Sequence, residues 1–104
     1  MAKFLFVYHG GKAPTSEAEG KAAMAAWGAW FGSMGAAVVD GGNPVGKSST
    51  VHAGGTVTSD GGSNPASGYS LINASSLSEA LALAKGCPVL AGGGSVEVAE
   101  AMAM

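Results

Sequence analysis

The apolar and polar positions of the chain divide it into short segments. Residues 3–8, Lys-Phe-Leu-Phe-Val-Tyr, are rich in aromatic and β-branched side chains, and Gly10-Gly11 end the run; this predicts a strand. Both of its phases are apolar, Phe4, Phe6 and Tyr8 on one side and Leu5 and Val7 on the other. A strand of that kind needs cover on both faces. After a loop from His9 to Pro14, Ser16-Glu17-Ala18-Glu19 fits a capping box, with Ser16 as N-cap and Glu19 reaching back. The helix it opens is predicted to run to Met34, where Gly35 supplies the stop. Met24, Trp27, Phe31 and Met34 recur at helical spacing as one apolar stripe, widened by Trp30. Gly20, Gly28 and Gly32 each cost about 1 kcal/mol relative to Ala inside a helix. Close approach of the sheet or of a partner chain is what they would permit.

Ala36 to Asp40 predicts a second strand, ended by Gly41-Gly42-Asn43-Pro44. Ser48–His52 and Thr56–Ser59, set around Ala53-Gly54-Gly55, predict a hairpin. Tyr69–Ala74 predicts a further strand. Ser76-Leu77-Ser78-Glu79 is a second capping box, opening a helix to Lys85 with Leu77, Ala80, Leu81 and Ala84 as its apolar stripe. Gly86 stops this helix and Pro88 prevents its continuation. Ser95–Ala99 is the last predicted strand. The order β-α-β-(ββ)-β-α-β occupies one domain over 1–104. Apart from the hairpin it is an α+β fold of the ferredoxin-like split β-α-β type. Right-handed crossovers put its four main strands into one antiparallel sheet with both helices on one face. The other face is left for a partner, and a homodimer packed sheet against sheet is expected.

Composition supports that expectation. The 47% hydrophobic content excludes a disordered chain. Charged residues are only 12%, about half the usual share of a soluble domain, as expected of a surface partly hidden in an oligomer. Five Lys, no Arg and a formal charge of −2 leave no basic face for nucleic acid and no bidentate clamp for phosphate. The single Cys87 excludes an internal disulfide and the common zinc ligand sets. No metal or cofactor is expected. Residues 3–8 are too short for a signal-peptide core, and no run is long enough to span a bilayer. A lone thiol fits a reducing compartment, so the expected location is the cytoplasm.

Several short motifs resemble, in order and spacing, the YCII-related domain, the branch with the DGPF motif being the most similar. They are Asp40-Gly-Gly-Asn-Pro44, Thr56-Val-Thr-Ser-Asp60-Gly61, Gly68-Tyr-Ser-Leu-Ile-Asn-Ala74, Ser78-Glu79-Ala80 and Gly93-Gly94-Ser95-Val96-Glu97-Val98. The resemblance covers nearly the whole chain. It implies a dimeric α+β barrel related to ferredoxin-like folds and no single activity, some members acting on small ring compounds. A His–Asp pair proposed for such members does not carry over. The helix-borne His falls near Met24 or Trp27, and the Asp-Pro before the last strand is replaced by Cys87-Pro88. The DGPF motif reads Asp60-Gly61-Gly62-Ser63, so only Asp60-Gly61 matches in place.

The residues themselves suggest a different cluster. In the split pattern the first two strands are parallel and the strand starting at Tyr69 runs between them. His9 and Asp40 then reach one edge of the sheet together with Tyr69, roughly 10 Å apart across one intervening strand at about 4.8 Å per step. Asp60, Asn43 and Lys12 lie in loops that overhang this edge, and Trp27 could line an apolar pocket for a ring. His9 as proton carrier with Asp40 as its orienting carboxylate would suit proton transfer on a small ring or carbonyl compound. The opposing reading makes His9 a strand-end residue bonded to backbone, Asp40 and Asp60 turn-formers, and Trp27 part of the core or dimer contact. On it the chain is a non-catalytic dimerisation or regulatory module.

Overall fold

The two apolar phases of the first strand meet different surroundings in the computed structural model, which describes residues 1–104. Ala2–His9 forms β1, an inner strand flanked by β5 (Ala66–Ala74) and β6 (Ser95–Ala101). Beyond β5 lies the short β2 (Val38–Asp40), and every pairing in this four-stranded sheet is antiparallel. Phe4 faces Ile72, Phe6 faces Ser70 and Tyr8 faces Gly68 across the β1–β5 ladder. All six are buried, and they form one face. The two helices, α1 (Glu17–Met34) and α2 (Leu77–Ala84), cover it. Trp30 and Met34 of α1 and Ala80 and Ala84 of α2 complete the core, with Cys87 and Val89 behind them. Trp30 also donates its indole N–H to the Leu83 carbonyl at 3.0 Å, tying the helices together. The molecule is thus a mixed α+β fold of two helices on one antiparallel sheet.

The other face has no helix over it. Leu5 and Val7 of β1 and Tyr69 and Leu71 of β5 are half-buried there. The consequence is visible in the whole surface. The chain exposes 6671 Å², against about 5,200 Å² for a compact monomer of this mass. Its radius of gyration is 14.9 Å, where about 13 Å is expected of a domain this long. The slab is only 19 Å thick in its Cα trace.

Both helices start as their caps dictate. Ser16 accepts from the Glu19 N–H and Ser76 from the Glu79 N–H, at 3.1 and 3.2 Å. The glutamates reach back one residue further than in a standard capping box. Glu19 accepts from the N–H and hydroxyl of Thr15, and Glu79 does the same with Ser75. The hairpin strands β3 (Thr50–Val51) and β4 (Val57–Thr58) pair only with each other, as a separate ribbon.

The helix stripes need correction. Met24 stands 77% exposed, outside the core, and Trp27 is half-buried. Only the C-terminal half of α1 reaches the sheet; its N-terminal half overhangs the loops at the sheet's edge. In α2 the buried positions are Ala80 and Ala84, while Leu77 and Leu81 are exposed, because small side chains let the helix lie close to the strands. A 3-10 turn over Gly35–Ala37 delays the second strand to Val38. That strand is short, yet the chain stays beside β5 after it: Tyr69 donates its N–H to the Asn43 carbonyl, Val45 donates to Ser67, and Pro44 bridges Gly68.

Candidate functional site

The overhang of α1 creates a cleft of about 1620 Å³ between the helix and the loop-rich edge of the sheet. Its deep wall is aromatic. The Tyr8 ring meets Trp27 edge-on at 4.9 Å and Trp30 at 6.2 Å, and Phe31 lies 5.1 Å from Trp30. Such edge-to-face and tilted contacts suit the ring quadrupoles. The loops Gly10–Pro14, Gly41–Pro44 and Gly86–Val89 close the remaining sides.

A chain of hydrogen bonds fixes the wall to the rim. The Tyr8 hydroxyl donates to Ser70 Oγ at 2.7 Å, and Ser70 donates to the Gly41 carbonyl at 2.6 Å. Burial pushes the Tyr8 phenol up to about 12, so it remains a donor at any ordinary pH. Asp40 opens this rim by accepting the Gly42 N–H on Oδ1 at 2.8 Å. Gly42 has φ +70°, and a Cβ there would collide with the Tyr69 carbonyl oxygen, so only glycine serves. Cys87 lies in the cleft wall as a buried thiol pushed up to about 11 by desolvation, an environment that disfavours the thiolate.

Of the residues singled out from sequence, Lys12, Trp27, Asn43 and Tyr69 all line this cleft. His9, Asp40 and Asp60 do not line it. His9 belongs to the alternate phase of β1 and emerges on the opposite, open face. There its Nδ1–H donates to the Pro65 carbonyl at 3.2 Å, and Nε2 lies 2.9 Å from Glu97 Oε1 on β6. The carboxylate favours the imidazolium and raises the His9 pKa against the opposing effect of burial. The expected neighbour Asp40 is remote for a reason of register. It pairs with Leu71, which pairs with Leu5, four residues short of His9 and thus roughly 13 Å along the strand at about 3.3 Å per residue. Pro44, opposite Gly68, is the residue that reaches the His9 end. Asp60 accepts the Gly62 N–H on Oδ1 in a turn and lines a separate hollow of about 180 Å³ with Lys47, Ser48 and Pro65.

Three contributors escape the sequence reading: Ser70, Glu97 and the wall position of Tyr8. A trace of each is present. Ser70 occupies the apolar phase of its strand, and Glu97 sits two positions from Ser95, the partner of His9. No group of three or more His, Cys, Asp or Glu side chains gathers as a metal site, and no helix is long and apolar enough to cross a membrane. No family model, curated protein or solved structure matches the chain.

Proposed function

We propose that this chain is a YCII-related protein of ferredoxin-like, dimeric α+β barrel type that holds a small ring or carbonyl compound in the cleft beneath α1. The observation that carries the reading is the cleft's wall. Tyr8, Trp27, Trp30 and Phe31 present ring faces and edges to one concavity, with Asn43 as a polar point on its rim. A mostly apolar concavity with a few placed polar groups is the usual form of a small-molecule site. The homodimer expected from the open sheet face belongs to the same reading.

Binding without turnover is the form of this function that the side chains favour. His9, the natural proton carrier, faces away from the cleft, and both of its ring nitrogens are engaged by Pro65 and Glu97. Asp40 is committed to its turn. These facts favour a ligand-sensing or regulatory module over proton transfer by a His9–Asp40 pair.

The test is shift mapping by NMR with a panel of planar ring compounds. Perturbations should concentrate on the Trp27 indole, Phe31 and Gly41–Asn43, and His9→Ala should leave them unchanged. Perturbations confined to the open sheet face, or none with any compound, would refute the reading.

A further inference from the structure

We infer that the ligand of this cleft is a ring compound carrying a single negative charge, a carboxylate foremost, with the charge seated at the Gly10–Lys12 end. The inference rests on the ring-binding reading above and adds the ligand's charge to it. Lys12 is the only charged residue lining the cleft, and no Asp or Glu lines it. The two acids next in sequence to lining residues are both engaged: Asp40 accepts the Gly42 N–H, and Glu19 accepts from the N–H and hydroxyl of Thr15. A cationic ligand would meet one positive charge and no compensating negative one. An anion would meet in Lys12 the one counter-charge that the cleft's lining offers.

The position of Lys12 is set by the backbone. Gly92 packs so tightly on the loop that a Cβ there would lie 2.7 Å from the Lys12 amide nitrogen. The two loops therefore meet main chain to main chain, and a side chain at residue 92 would force this contact apart. One Lys, with no Arg in the chain, suits a monoanion and not the several charges of a phosphate ester. Gly10-Gly11-Lys12 also lacks the spacing and the following Ser or Thr of a phosphate loop. The aromatic wall supplies the affinity for the ring, and Lys12 supplies the choice of charge.

The experiment compares 1-naphthoate with 1-naphthalenemethanol, matched in ring and differing in charge, by calorimetry on the full chain. The naphthoate should bind about tenfold more tightly, equivalent to about 1.4 kcal/mol. Added salt should narrow the gap. Lys12→Gln should abolish it by weakening the naphthoate, and Lys12→Arg should restore it. Lys12 is exposed in a loop, so these variants should fold, which circular dichroism checks. Equal affinity for both compounds, or a preference that survives Lys12→Gln, would overturn the charge inference while leaving the ring site standing. Failure of both compounds to bind the wild-type chain would overturn the ring-binding reading and the inference with it.

Discussion

Ser70 shows how a single polar residue is kept in an otherwise apolar core. It is fully buried, and a hydroxyl there without partners would cost roughly 1–3 kcal/mol. It has a donor and an acceptor instead, Tyr8 on one side and Gly41 on the other. The same logic governs His9, which is shielded by the residues around Pro65 although it lies on the uncovered face. With Nδ1–H given to a carbonyl, a neutral ring would turn its Nε2 lone pair toward the Glu97 carboxylate. Protonation removes that repulsion and adds a charge-assisted bond, so the folded-state pKa is raised above 6.5. A raised pKa places the stabilisation at low pH: it is complete below the unfolded value and is lost as pH rises through the folded one. Glu97 is 65% exposed, so the contribution should stay below about 1 kcal/mol. An NMR titration should find His9 titrating above 6.5, and Glu97→Gln should bring it down. An unchanged His9 titration in that variant would show that Glu97 does not hold the proton.

At the scale of the elements, the two tryptophans of α1 divide the work. Trp30 is buried, stacks on Phe6 at 6.2 Å and donates to Leu83. Trp30→Ala should therefore cost about 3–5 kcal/mol, as expected of a large core truncation. Trp27 is half-buried in the cleft wall, so Trp27→Ala should cost distinctly less in urea melts; equal losses would mean that the helix is rotated from this orientation. The existence of both helices was legible because Ser16-x-x-Glu19 and Ser76-x-x-Glu79 are local signals that need no tertiary context. The main strands were legible for the same reason, through runs rich in β-branched and aromatic residues bounded by glycine. The rotation of α1 was not. From Ala22 to Val39 the chain carries no charged residue, so no polar face marks the solvent side. A stripe through Met24 and one through Trp30 were equally available, and contact with Leu83 and Phe6 decided between them. Of the cleft's lining, Lys12, Asn43 and Tyr69 were legible because they flank strand ends at one edge, and Trp27 because it belongs to the aromatic stripe of α1. The His9–Asp40 pairing failed because register cannot be read from strand ends alone: the chain runs on from Asp40 to Pro44 beside β5 before it reaches the level of His9. Glu97 was hidden because its approach to His9 depends on the pairing of the first and last strands, the most distant in sequence.

For the whole molecule, the surplus surface sets the scale of what is missing. The chain exposes about 1,400 Å² beyond a compact monomer of its mass, while a stable interface needs about 800 Å² from each partner. Part of the surplus is the hairpin ribbon, where Val51 and Val57 stand in solvent. The open sheet face is apolar at its centre, with Leu5, Val7 and Leu71 side by side on β1 and β5, and a second copy would be its self-complementary cover. Light scattering at micromolar concentration should give twice the 10.0 kDa chain mass. Leu71→Lys should return the mass to that of one chain with the helices intact, because in the single chain this side chain already borders solvent and the lysine ammonium can reach water. A second apolar surface competes for the role. Gly28 and Gly32 face open space along α1, with nothing beyond the helix's own backbone and the adjoining residues within 4 Å of a Cβ built on either, so glutamate at either position meets no steric obstacle. A dimer that survives Leu71→Lys and dissociates in Gly32→Glu would put the interface on α1 and overturn the sheet-to-sheet arrangement. A wild-type chain that scatters as a single copy would remove the dimer altogether.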